Sequence, residues 1–141
     1  MNVEVRHADR TCLNEKAYVK LVRKYAKLKY KLIISFDDRI KAYGQYNFDP
    51  SKRTHVIKIS PKRNKTVQEE SLDKTVYKIK TVDSNGEKYQ LISTTLHELK
   101  HAIQKEELGE AFWNKHYSAA TDIKNKGLAD FYSECEAEAR I

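Results

Sequence analysis

The stretch from Tyr89 to Ile103 constrains the fold of this chain most. Leu91, Ile92, Leu96, Leu99 and Ile103 follow the period of an amphipathic helix, and Gly109 supplies a C-terminal stop. Inside the stretch lies His97-Glu98-Leu99-Lys100-His101. Residues four apart on a helix stack on one face, so the two imidazoles stand side by side. The fold must therefore bury the apolar stripe against a core while turning the histidine pair toward whatever uses it.

The rest of the pattern predicts what that core contains. Asn14 caps a helix whose packing residues are Ala17, Leu21, Val22, Tyr25 and Leu28. Leu32 to Phe36 reads as a buried strand, Asp37-Asp38 as a turn, and Ile40 to Phe48 as a second strand closed by Asp49-Pro50. His55 to Ser60 alternates apolar and polar residues and is ended by Pro61. Residues 61–88 are strongly charged and read as an insertion, with strand character over Thr75 to Val82 and a turn signal at Asn85-Gly86. Beyond the motif, Phe112, Trp113, Tyr117, Ala120 and Ile123 suggest a helix ending at Gly127. Leu128, Phe131, Tyr132, Cys135 and Ala139 suggest a last one. The expected class is α+β: an N-terminal helix, a small and mostly antiparallel sheet, the motif helix and C-terminal helices, in one domain over residues 1–141.

A chain of 141 residues, 40% hydrophobic and 33% charged, supports one lean core. No apolar run approaches the roughly 18 residues needed to cross a bilayer, and the N-terminus lacks a signal-peptide apolar region, so the expected location is cytoplasmic, away from membranes. Two cysteines, Cys12 and Cys135, imply no disulfide framework and are expected as free thiols. The net charge of +7 favours acidic partners, nucleic acid among them. The lysines are nevertheless scattered, and Tyr25 to Lys31 reads better as part of an amphipathic helix than as a nucleic-acid site.

The chemistry resides in the motif. Two imidazoles from one helix face suit zinc, and a catalytic zinc site takes three protein ligands, leaving one position open for water. Glu98, next to the first histidine, is placed to act as general base on the attacking water and to pass its proton to a leaving amine. His97 and His101 are thus candidate metal ligands and Glu98 the candidate catalytic base. A third donor is expected downstream, and the candidates are Glu134, Glu136, Glu138 and His116. On a helical projection Glu136 and Glu138 flank the apolar stripe of Leu128, Tyr132, Cys135 and Ala139, while Glu134 points further toward solvent. Glu136, with the small Ala139 one turn ahead, is the first choice. Tyr117 and Tyr132, or His116 if it is not a ligand, are candidate donors to a transition-state oxyanion.

Thr94 to Gln104, taken with Glu136-Ala137-Glu138-Ala139-Arg140, resembles the minimal gluzincin metallopeptidases of phages and bacteria. That resemblance implies a zincin-like fold and zinc-dependent hydrolysis of a protein or peptide substrate. It implies a third ligand from a Glu-x-x-Ala pattern, which Glu136 and Glu134 both satisfy. It also implies that Ala42 to Tyr46 forms the sheet edge along which substrate lies. A second resemblance is to SprT-like proteases, which act on proteins attached to DNA and would use His116 as the third ligand. A fold that keeps the site but serves as a binding domain is a further alternative.

Overall fold

A computed structural model describes residues 2–70, 77–109, 113 and 134–139. Its centre is a four-stranded sheet built from β1 (Val3–Arg6), β2 (Lys31–Phe36), β3 (Gly44–Asp49) and β4 (Thr54–Ile59), in the order β1-β2-β4-β3. β1 pairs with β2 and β2 with β4 in parallel; only β3 runs antiparallel, against β4. This corrects the expectation of a mostly antiparallel sheet.

The physical reason lies in the connections. Helix α1 (Glu15–Tyr25) carries the chain from β1 back to the start of β2, which makes those two strands parallel. Asp37-Asp38 does not fold β2 back onto the next strand. Instead residues 37–43 carry the chain across to the outer edge, where β3 begins only at Gly44, and a tight turn after Asp49 returns it between its neighbours as β4. That turn is held by Asp49, whose Oδ1 accepts from the Ser51 and Lys52 backbone N–H groups at 3.0 and 3.3 Å.

One face of the sheet is the core. Leu32, Ile34 and Phe36 alternate inward on β2, and the register sets them opposite His55, Ile57 and Ile59 of β4, all buried. Helix α1 packs there. The predicted cap on α1 is present, with Asn14 Oδ1 accepting from Ala17 N at 3.0 Å. Its buried residues, however, are Tyr18 and Val22 with Ala26 just beyond, whereas Ala17 and Tyr25 are exposed. The packing face is turned by one position because Tyr18 reaches the buried Thr95 hydroxyl at 2.6 Å, giving its own hydroxyl a partner inside the core.

The charged stretch 61–88 divides in two. β5 (Thr66–Glu70) and β6 (Tyr77–Thr81) form a separate antiparallel pair; β6 falls within the stretch of strand character, while β5 was not expected. Asn85-Gly86 is not the turn of a hairpin: it lies in the first turn of α2 (Ser84–Leu108), capped by Asp83, whose Oδ1 accepts from Gly86 N at 2.8 Å. The motif helix thus begins five residues before Tyr89. Its end at Gly109, with φ of 87°, is the predicted stop. Trp113 and residues 134–139 are helical; the rest of the two predicted C-terminal helices lies outside the described residues. No described helix is long and apolar enough to cross a membrane, and Cys12 and Cys135 are unpaired by disulfide, the first exposed and the second buried.

Candidate metal centre

α2 runs beside β3, the outer strand of the sheet, whose second edge has no strand partner among the described residues. Leu91, Leu99 and Ala102 enter the core, and this fixes the rotation of the helix. His97, Glu98 and His101 consequently point into the cleft between helix and edge strand, where Glu136 meets them from the 134–139 helix.

Three ligand-type side chains converge there. Glu136 Oε1 lies 3.0 Å from His101 Nε2 and Oε2 lies 3.2 Å from His97 Nε2. The two rings are 4.9 Å apart and nearly perpendicular, and the three donor groups all fall within 4.8 Å of one another. This donor set, two imidazole nitrogens and one carboxylate with both histidines presenting Nε2, fits a zinc-type cation. Of the other candidates, Glu134 and Glu138 are exposed, and Glu138 pairs with Lys100 at 3.5 Å. His116, Tyr117 and Tyr132 lie outside the described residues.

The local electrostatics follow from crowding these groups together. Burial raises the Glu98 carboxyl above its ordinary value; His101 and His97 oppose that rise and Glu136 adds to it. Glu98 is only 8% exposed and makes no hydrogen bond among the described residues. Burial by itself would lower His101, but hydrogen bonds to Glu136 and Gln104 and the charges of Glu136 and Glu98 outweigh it, so the imidazole is raised.

Three features of the site escape a reading of the sequence. Gln104, one turn past His101, holds that ring: His101 Nδ1 and Gln104 Oε1 are 2.9 Å apart, and the Gln104 amide N–H donates to the Cys135 carbonyl at 3.0 Å. Asn64, fully buried within the charged stretch, fixes the entry to β3. Its Nδ2 donates to the Tyr43 and Ser60 carbonyls at 3.0 and 2.7 Å, and its Oδ1 accepts from the Thr94 hydroxyl at 2.7 Å. No sequence pattern marks an asparagine for that role. The third is the closeness of Gly44 to α2: a Cβ there would sit 2.5 Å from Thr94 Cγ2 and 3.0 Å from Glu98 Cγ. Only glycine lets the strand approach so closely.

The cleft consists of two adjoining pockets that share Gly44, His97 and Glu98. One, of about 360 Å³, extends along the N-terminal half of α2 past Tyr43, Tyr89 and Thr94; the other, of about 300 Å³, contains Tyr46, His101 and Glu136. A broader depression on α1, lined by Glu15, Lys16, Val19, Lys20 and Arg23, carries no histidine and a single carboxylate among three cations. Among the described residues, the cluster of ligand-type side chains lies in the cleft. Comparison of the chain with family models, with curated proteins and with solved structures found no match to any of them.

Proposed function

We propose that this protein is a zinc-dependent metallopeptidase with a zincin-like fold, in which His97, His101 and Glu136 hold the metal and Glu98 is the general base. One observation carries this: two Nε2 atoms from adjacent turns of α2 converge on both oxygens of a single carboxylate, 3.0 and 3.2 Å away, with a buried glutamate beside them. Bound there, zinc would polarise a scissile carbonyl and lower the pKa of a water to about 7.

The side chains of this protein account for the remaining steps. Glu98, with a pKa raised by burial, is suited to take a proton from the attacking water and release it to the departing amine. The open edge of β3 offers backbone N–H and C=O groups to an extended peptide, which would lie along the cleft with its backbone fixed and its scissile bond near Glu98. Gly44 lets that strand lie close against Thr94 and Glu98 of α2. The substrate class is accordingly protein or peptide.

Elemental analysis of the purified protein, together with hydrolysis of an unstructured protein such as casein, tests this. The expected result is near one equivalent of zinc, with Glu98→Gln retaining the metal and losing hydrolysis by at least about 100-fold. A wild-type chain that takes up no zinc sinks the metal assignment. Zinc binding with hydrolysis indifferent to Glu98→Gln sinks the role of Glu98.

A further inference from the structure

The two halves of the metal site come from segments far apart in the chain, and a buried amide bridges them beside the contacts of Glu136 itself. Gln104 is 3% exposed and lies one turn after His101. Its Oε1 meets His101 Nδ1 at 2.9 Å and its Nε2 donates to the Cys135 carbonyl at 3.0 Å. Cys135 immediately precedes Glu136, and its own side chain is buried at 5% exposure.

A carboxamide presents separate acceptor and donor atoms at the end of one uncharged side chain. With Oε1 accepting from Nδ1–H, a neutral His101 is held in the tautomer that leaves Nε2 unprotonated and able to bind a cation shared with Glu136. With Nε2–H donating to Cys135, the backbone that carries Glu136 is fixed at the same moment. Both bonds are buried, so breaking either leaves a polar group without a partner. We infer that Gln104 is a positioning residue that couples metal capture to docking of the 134–139 helix: ordering His101 favours the docked helix, and docking favours the metal-ready His101. This rests on the metal-site reading above. Reciprocity follows, in that zinc must hold the helix down by the same factor by which docking raises zinc affinity.

Cys135 supplies a readout that needs no activity, since its thiol is reachable only when the helix lifts. In a Cys12→Ser background, which removes the exposed thiol, alkylation of Cys135 by iodoacetamide is followed with and without zinc, and the zinc dissociation constant is measured by chelator competition. Zinc is expected to slow alkylation by at least about tenfold. Gln104→Leu, which loses both bonds, is expected to raise the dissociation constant by about 10–100-fold and to shrink the ratio of zinc-free to zinc-bound alkylation rates. A residue that only packs would speed alkylation equally in both states and leave the ratio unchanged. Gln104→Glu keeps an acceptor for His101 but has no N–H for Cys135; it is expected to bind zinc more tightly than Gln104→Leu while its ratio stays low. Zinc binding with the same constant and ratio in all three chains overturns the role of Gln104 alone. A wild-type chain that takes up no zinc overturns the metal site itself, and this inference with it.

Discussion

Two histidines buried in this protein have nearly the same partners and opposite electrostatic outcomes. His55, on the core face of β4, has Tyr46 Oη 2.8 Å from Nδ1 and Glu106 Oε2 2.6 Å from Nε2. His101, on α2, has Gln104 Oε1 2.9 Å from Nδ1 and Glu136 Oε1 3.0 Å from Nε2. Yet burial drives His55 below the ordinary imidazole value, against the pull of Glu106 and with some help from the Lys105 charge, while His101 is driven above it. The difference lies in what surrounds the pair. Glu106 is already committed to the Lys29 and Tyr30 backbone N–H groups at 2.7 and 3.3 Å, and it is the one carboxylate acting on His55 among the described residues. His101 sits between Glu136 and Glu98 with a second imidazole alongside, in an open cleft. A histidine–glutamate pair makes a closed structural tie in one place and, in the other, part of a cluster that could hold a metal ion.

The largest effect that could break this contrast is on metal affinity. His101→Ala is expected to weaken zinc binding by well over the roughly 100-fold typical of losing a ligand's outer partner. His55→Ala should leave the affinity within a few-fold and instead lower the unfolding free energy by about 2–4 kcal/mol through a cavity and stranded polar partners. Chelator competition and denaturant unfolding on the same two variants separate the outcomes; if His55→Ala sheds zinc, the two sites are not independent.

The cleft is also where backbone approach is tightest. Gly44→Ala drives a methyl to 2.5 Å from Thr94 Cγ2 and is expected to cost about 1–3 kcal/mol together with the proposed peptidase activity. Thr94→Ser removes that methyl while keeping the hydroxyl bonded to Asn64, so the double variant should recover part of both. Recovery in neither would mean that the crowding at Glu98, not at Thr94, sets the limit.

Acid dependence should carry opposite signs at the two sites. His55, depressed in the folded state, contributes stability that is fully present above about 6.5 and is lost as pH falls through its lower folded value. His101 in the metal-free protein, raised, contributes stability present below about 6.5 and lost as pH rises through its higher folded value. Each contributes a slope of at most about 1.4 kcal/mol per pH unit. Unfolding of the metal-free chain between pH 5 and 8, with each histidine replaced in turn, should reveal slopes of opposite sign, and equal slopes would erase the distinction.

The smallest expected change is at Tyr46→Phe. It removes the phenol from His55 Nδ1 and is expected to cost about 1–2 kcal/mol in unfolding free energy without moving the zinc dissociation constant. A shift in zinc affinity would show that the ring, which touches Trp113 beside His101, joins the two sites.

Local features were legible before any tertiary contact was known. The side-by-side placement of His97 and His101, the Asn14 cap and the stop at Gly109 depend on spacing and backbone preference within a few residues, and all three are present. The strand at Leu32 to Phe36 and the alternation of His55 to Ser60 were legible for the same reason. Strand direction was not. The short β1 carries two charges in four residues and gives little pattern, yet it pairs in parallel with β2 and thereby changes the character of the sheet.

Site assembly divides along the same line. Helical projection singled out Glu136 over Glu134, and in the structure Glu136 is the carboxylate that meets both imidazoles. The pair of histidines and the adjacent glutamate were thus set by the sequence through helix geometry, which is local and periodic. The contacts of Gln104, Asn64 and Gly44 emerge only from the tertiary structure. Each depends on which distant segment is brought within hydrogen-bonding or van der Waals distance, and helical or strand periodicity carries no information about that.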